Sequence, residues 1–320
     1  MKILVDFPFS DEQIEQLRAV AAGNGSHELV QIHSEEEGVA VAADVEVILG
    51  HFKKAVCEAA PDLKWMQTFA AGLDGGIIYD GLADREGVVI SNMAGEYAAA
   101  AADHAWALYL ALVRKLHRDL PQQWRQAWTV EHDQGDVAGG TLGVVGFGGF
   151  GVEMAKRSLG YDMRVLAVDS VRTEKPECVS ELKPATQENL HSLLQRSDVV
   201  MLATPITPQT YRMIGAEQIA LMKSSAYLIN VARGGLIDED ALAEALKAGK
   251  LTGVGLDVCE TEPLPATSPL WDAPNFILTP HIAGWAASRP QKMFEFFCTN
   301  LERYLSGETP LHVADPKRGF

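Results

Sequence analysis

The stretch "TLGVVGFGGFGVEMAKRSLG", Thr141 to Gly160, decides how the chain folds. Its opening "TLGVV" is a short unbroken apolar run of the kind that forms a strand buried on both faces, and "GVEMAKRS" is spaced as an amphipathic helix. Between them Gly146, Gly148 and Gly151 stand in GxGxxG spacing. The first glycine permits a tight turn, the second lets backbone approach a pyrophosphate, and the third lets the helix sit against the strand, with the phosphates over the helix N-terminus. The next apolar run, "MRVLAVD", ends on Asp169, 18 residues past Gly151, where a carboxylate can accept hydrogen bonds from adenosine ribose hydroxyls. The same charge repels a 2′-phosphate. NAD is therefore expected over NADP, with Arg172 the nearby group that would reach such a phosphate.

Outward from this unit the alternation of strand and helix continues in both directions. The runs "KILVDF", "VEVILG", "KWMQTFA" and "GVVISN" precede it, separated by helical stretches such as "DEQIEQLRAVAA" and "KKAVCEAA"; "DVVMLAT", "AYLINV", "TGVGLDV" and "NFILTP" follow. This pattern predicts an α/β fold of two Rossmann-like parallel-sheet domains with a cleft between them. Gly95 to Leu120 is expected as one long helix buried between domains or subunits, because its alanine and leucine content would otherwise expose a large apolar patch. The C-terminal "RPQKMFEFFCTNLERYLSGE" repeats its aromatic and aliphatic residues at helical spacing, without revealing what they pack on.

Composition narrows the function. A chain of 320 residues, 47% hydrophobic, can bury the cores of two domains. Its formal net charge of -16 argues against a nucleic acid or an anionic membrane surface as partner, while leaving room for a small anion in a locally positive pocket. Cys57, Cys178, Cys259 and Cys298 lack CxxC spacing, so neither a metal site nor a disulfide framework is expected, and a reducing cytoplasm fits. The N-terminus "MKILVDFPFS" enters a strand pattern at once and does not read as a signal peptide. The longest apolar stretch, Tyr97 to Val113, carries Asp103 and His104 and falls short of the roughly 20 residues of a membrane span.

In open parallel sheets, ligands bind at the carboxyl ends of the strands. There the sequence places Arg233 after "AYLINV", with two glycines behind it for a close turn, Asp257 and Glu262 after "TGVGL", and His281 after "NFILTP". Singly, each has a plain reading: a salt-bridge arginine, a solvated carboxylate, a satisfied loop histidine. Together they are a forked cation, a proton donor and a carboxylate to orient it, which suits proton delivery to a carbonyl oxygen as a nicotinamide delivers hydride to the carbon. Arg233 would hold a 2-oxo acid, His281 would act as the acid/base, and Glu262 would favour its imidazolium. Pro280 limits the backbone ahead of His281, Ala283 and Gly284 leave room for nicotinamide and substrate, and Trp285 either closes one side of the cleft or packs in a core or subunit contact.

The stretches "FAAGLD", "SNMAGEYAAAAADHAWAL", "TLGVVGFGGFG", "TPITPQT", "LMKSSAYLINVARGGLIDEDAL", "GLDVCETEPLP" and "LTPHIAGW" run in order from Phe69 to Trp285. Through them the chain resembles the D-2-hydroxyacid dehydrogenases, which interconvert 2-oxo acids and D-2-hydroxy acids with NAD(P). The resemblance implies Arg233, Glu262 and His281 as the catalytic set, and backbone at Ala71 and Gly72 as the holder of the substrate carboxylate. It implies a cofactor surround of Gly146, Gly148, Gly149, Phe150, Gly151, Asp169, Thr204, Pro205, Thr210, Val231, Ala232, Asp257, His281 and Gly284, with Asp257 at the nicotinamide amide. A discontinuous substrate domain, residues 1–98 plus 288–320, would flank an NAD-binding domain, residues 99–287, and a homodimer would form through the cofactor domain. The segment at Ala102 to His104 departs from the "AEH" common in the family, and Gly149 and Phe150 replace a polar or basic residue and an aliphatic one.

Small unphosphorylated acids such as glyoxylate, hydroxypyruvate or pyruvate are the expected substrates, since "FAAGLDGG" offers no positive charge for a phosphate. The alternatives are a phosphorylated substrate, as in D-3-phosphoglycerate dehydrogenases, and a non-enzymatic NAD-responsive protein like the dehydrogenase-related corepressors. The latter would be marked by loss of the arginine, glutamate and histidine, which are all present.

Overall fold

The computed structural model describes residues 1–73, 81–82 and 85–315. From the N-terminus run β1 (Lys2–Asp6), α1 (Asp11–Gly23), β2 (Glu28–Gln31), α2 (Glu35–Val41), β3 (Val45–Gly50), α3 (Lys54–Glu58), β4 (Trp65–Gln67) and β5 (Val89–Ser91). Then follow α4 (Ala98–Val113), α5 (Leu116–Trp124), β6 (Thr141–Val145), α6 (Gly149–Ser158), β7 (Arg164–Asp169), β8 (Glu181–Pro184), α7 (Gln187–Arg196) and β9 (Val199–Leu202). The chain finishes with α8 (Ala216–Leu221), β10 (Tyr227–Asn230), α9 (Glu239–Lys247), β11 (Gly253–Leu256), β12 (Phe276–Leu278) and α10 (Arg289–Leu305). Two compact units result, one of Met1–Glu96 with Ala286–Phe320, the other of Tyr97–Trp285. No helix among the described residues is long and apolar enough to cross a membrane.

The first unit is built on a five-stranded parallel sheet in the order β2-β1-β3-β4-β5. Its inner strand β1 pairs with the central β3, Leu4 with Ile48 and Val5 with Leu49, all four side chains fully buried. Ser10 and Gln13 form a reciprocal capping box that starts α1. α10 lies in this unit although it comes last in the chain: Phe294 and Phe297 pack on the Phe9 ring at 5.4 and 5.6 Å, and the buried Asn300 amide donates to Gln67 Oε1 at 2.7 Å. Ala71 is exposed and Gly72 half-buried beyond β4; Asp74 to Gly76 of the same stretch lie outside the described residues.

The second unit carries a seven-stranded parallel sheet in the order β12-β11-β10-β9-β6-β7-β8. β6, β9, β10 and β11 are buried along nearly their whole length, as strands covered on both faces must be. Strand order reverses between β6 and β9, which opens a crevice at their carboxyl ends. Two strands escape the apolar pattern of the sequence, β2 ("ELVQ") and β8 ("ELKP"). Both are edge strands, with one neighbour each, and of their eight residues only Leu29 is buried, so neither needs a continuous apolar run.

The single helix expected over Gly95 to Leu120 does not form. α4 stops at Val113, whose carbonyl accepts the Gly135 amide at 3.0 Å instead of a fourth residue onward, and Lys115 takes the left-handed region at φ 60 before α5 begins. The burial expected of α4 from another domain or subunit comes from its own sheet and α6. Trp106 Nε1 donates to the Met154 carbonyl at 3.0 Å, and Tyr109 meets Tyr227 edge to face at 5.4 Å. α5 is different: it has no buried residue.

Candidate active site

β10, β11 and β12 are neighbours in the sheet, so the three turns that leave their carboxyl ends converge. The turn after β10 is stapled by buried Asn230, whose side chain donates to the Arg233 carbonyl at 2.7 Å and accepts the Ala232 amide at 3.0 Å. This sets the half-buried Arg233 beside Gly234. Gly234 has no positive φ to explain it; what excludes a side chain is a neighbouring backbone, since a Cβ there would lie 1.9 Å from the Cys259 carbonyl carbon. The arginine turn and the turn that carries Glu262 are thus pressed together.

Glu262 is held at both oxygens. Oε1 accepts the Cys259 amide at 3.0 Å, and Oε2 stands 2.7 Å from His281 Nδ1. The Glu239 carboxylate, at the start of α9, accepts the Glu260 amide at 2.6 Å and fixes the same turn from behind; burial raises the Glu239 pKa above the usual carboxylate range. Burial, reinforced by Glu239, Glu262 and Asp257, pushes the Cys259 thiol up to about 12, which leaves it inert as a nucleophile.

His281 sits in the left-handed region at φ 53, a conformation that costs a non-glycine residue about 1–3 kcal/mol unless its surroundings enforce it. Asp257 does so. Its carbonyl accepts the His281 amide at 2.7 Å, and its carboxylate accepts the amides of Ile282 at 3.0 Å and Ala283 at 2.7 Å. With Nδ1 donating to Glu262, Nε2 is the ring nitrogen left to exchange a proton; the histidine side chain is 49% exposed. Asp257, by contrast, is 1% exposed and faces the histidine loop with both oxygens. Trp285 is 64% exposed, which removes the core-packing reading of that residue.

The glycine loop lies at the β6/β9 crevice. Gly146 has φ +91, and a Cβ on it would sit 2.6 Å from the Ala203 carbonyl group, so β6 and β9 deliver their loops in direct contact. A Cβ on Gly151 would be 2.3 Å from the Gly146 oxygen. Gly148, the N-cap of α6, has open space around it and gives the helix no side-chain cap, so the first amides of α6 are available to an anion. Gly149 is exposed beside it, whereas the Phe150 ring packs back on the apolar core. Asp169 accepts the amides of Phe147 at 2.6 Å, Val171 at 2.8 Å and Arg172 at 2.6 Å, and the Arg172 guanidinium lies 5.7 Å over the Phe147 ring. Thr204 and Pro205 follow β9, and the Thr210 hydroxyl closes that loop by donating to the Pro205 carbonyl at 2.8 Å. Val231 and Ala232 are buried, and Gly284 is half-buried.

Asn230 and Glu239 are contributors that sequence reasoning did not assign to the site, and Gly234, expected to allow a close turn, instead makes room for the Cys259 backbone. Asn230 carried a faint signal, a polar residue closing the apolar run "AYLIN"; Glu239 carried none, since "IDEDAL" reads as an ordinary helix start. No group of three or more metal-binding side chains comes together among the described residues.

Residues 106–283 match the model of the D-isomer specific 2-hydroxyacid dehydrogenase NAD binding domain. The glyoxylate reductase of Korarchaeum cryptofilum is 38% identical over 267 residues, 81% of this chain and 78% of that protein. The glyoxylate reductase of Thermococcus onnurineus is 36% identical over 97% of this chain and 94% of its own length. Among solved structures, a D-isomer specific 2-hydroxyacid dehydrogenase from Xanthobacter autotrophicus Py2, in complex with NADPH and MES, superposes with a TM-score of 0.81 at 27% identity, covering 99% of this chain and 100% of that one.

Proposed function

The chain belongs to the D-isomer specific 2-hydroxyacid dehydrogenase family of NAD(P)-dependent oxidoreductases acting on a CH-OH or 2-oxo group, and from that premise we propose that it reduces small unphosphorylated 2-oxo acids with NADH. Glyoxylate, hydroxypyruvate and pyruvate are the substrates that this reading names; the similarity to glyoxylate reductases points to the first. The observation that carries it is the 2.7 Å contact of His281 Nδ1 with Glu262, set at the strand end next to that of Arg233.

In this reading, Gly146, Gly148, Gly151 and the first turn of α6 hold the pyrophosphate, and Asp169 receives the ribose hydroxyls. When bound, the nicotinamide supplies the hydride. Arg233 grips the substrate carboxylate and polarises the carbonyl oxygen. His281 passes a proton from Nε2 to that oxygen, and Glu262 keeps the ring in the orientation and tautomer that make Nε2 the proton carrier. Asp169 supports NAD over NADP. Arg172, beside it, supports the second reading, that NADPH is also accepted.

Leu116, Leu120, Trp124, Trp128 and Val130 are 47% to 95% exposed on and after α5, an apolar surface of the second unit that suits a homodimer through that unit. None of the four cysteines is in a disulfide, which suits the cytoplasm. The test is a panel of 2-oxo acids, phosphorylated and not, with NADH and NADPH. Turnover of the unphosphorylated acids should fall about 10²-fold to 10⁴-fold in His281→Ala while NADH binding persists. A preference for the phosphorylated acid, or an active His281→Ala enzyme, would refute the assignment.

A further inference from the structure

The Thr279 hydroxyl lies 2.6 Å from Asp257 Oδ1 and 2.8 Å from His104 Nε2, and His104 Nε2 itself is 3.5 Å from the same carboxylate oxygen. A threonine has one hydroxyl proton, and an ionised carboxylate can only accept. The proton therefore points at Asp257, and Thr279 Oγ1 must accept from His104, which fixes the ring as the Nε2-H form. The direction of the whole chain follows: His104 donates to Thr279, Thr279 donates to Asp257, and Asp257 accepts the amides of Ile282 and Ala283. Three elements meet in it, the middle of α4, the end of β11 and the end of β12.

We propose that Thr279 and His104 are positioning residues for the acid/base step. They fix the rotamer of the Asp257 carboxylate, and the carboxylate fixes the left-handed turn that presents His281. Without a donor at Oδ1 from Thr279, the carboxylate can rotate about its terminal bond, and the amides that it gathers from Ile282 and Ala283 no longer define one backbone path. Among the described residues no other acceptor takes those two amides, whereas the Glu262 contact acts on the ring and not on the backbone. Neither residue touches the reacting atoms in this scheme.

The inference rests on His281 being the acid/base, and its test separates the two. Thr279→Val removes the hydroxyl at nearly constant shape, and Thr279→Ser restores it. In Thr279→Val, kcat for 2-oxo acid reduction should fall about 10-fold to 10²-fold, with KM and NADH affinity changing less than about twofold. In the full-length protein without dinucleotide, hydrogen exchange at the Ile282 and Ala283 amides should accelerate, and Thr279→Ser should recover both kcat and protection. Should Thr279→Val fail to fold, His104→Phe, which loses the donor, is compared with His104→Gln, which keeps an N-H, with the same expectation for Phe alone. Unchanged exchange at Ile282 and Ala283, or lost kcat that Ser and Gln do not recover, would overturn the proposal. If wild-type enzyme reduces no 2-oxo acid, the functional reading fails, and the exchange data still decide the turn.

Discussion

Gly234→Ala is the smallest change that tests whether the arginine and glutamate turns must touch for the site to exist. The added methyl would sit 1.9 Å from the Cys259 carbonyl carbon and 2.4 Å from the Glu260 nitrogen. Carbon atoms rest at about 3.5–4.0 Å, so one turn has to withdraw by roughly 1.6 Å or more. If the Cys259 turn yields, Glu262 moves with it through its bond to the Cys259 amide, and the His281 contact opens from 2.7 Å to about 4 Å, beyond any hydrogen bond. If the Arg233 turn yields, the guanidinium is displaced by the same distance. Either displacement should lower kcat/KM by about 10²-fold or more. Overpacking of this size costs about 1–3 kcal/mol, a fall in Tm of roughly 2–12 °C, so the protein should remain folded at assay temperature. NADH affinity should fall less than kcat/KM, because the atoms that the new methyl meets first belong to Cys259 and Glu260 and not to the Gly146 to Gly151 loop. Steady-state kinetics, a thermal melt and a fluorescence titration with NADH suffice. Wild-type kcat/KM in a folded Gly234→Ala enzyme would refute the reasoning, since it would mean that neither turn needs its place.

Three further outcomes follow from other parts of the molecule. Asp169→Ala should lower the ratio of kcat/KM with NAD to that with NADP about tenfold, the value of one charged hydrogen bond, and an unchanged ratio would hand the choice to Arg172. Glu181 is held down to about 2, first by hydrogen bonding to Arg196, which donates to its two oxygens at 2.5 and 2.9 Å. A folded value below the ordinary one near about 4.3 adds stability above about pH 4.3 that is lost as pH falls through about 2. Because the carboxylate is 29% exposed, the contribution is about 1 kcal/mol. The Tm gap between wild type and Glu181→Gln should therefore close at the acid end, and a gap independent of pH would contradict it. Leu120→Ser with Trp124→Ser should convert a dimer into a monomer in sedimentation at micromolar concentration, and a monomeric wild type would remove the proposed interface.

The sequence determined those features in which one local pattern has one physical solution. "TLGVVGFGGFG" could only be a buried strand, a turn at positive φ and a helix without a side-chain cap, because each glycine answers a steric demand that the next few residues create. Apolar runs located the inner strands of both sheets for the same reason, and parallel topology then brought Arg233, Glu262 and His281 to one edge. The rest depended on neighbours that are remote in the chain. The edge strands β2 and β8 have no apolar requirement and leave no pattern; the break between α4 and α5 depends on Gly135 taking the Val113 carbonyl; α10 finds its seat through Gln67, 233 residues before Asn300. In the same way, Asp257 and Gly234 acquire their meaning only from the amides of Ile282 and Ala283 and from the Cys259 carbonyl. Local sterics and burial are written residue by residue, whereas a hydrogen bond between two turns exists only once the sheet has set the distance between them.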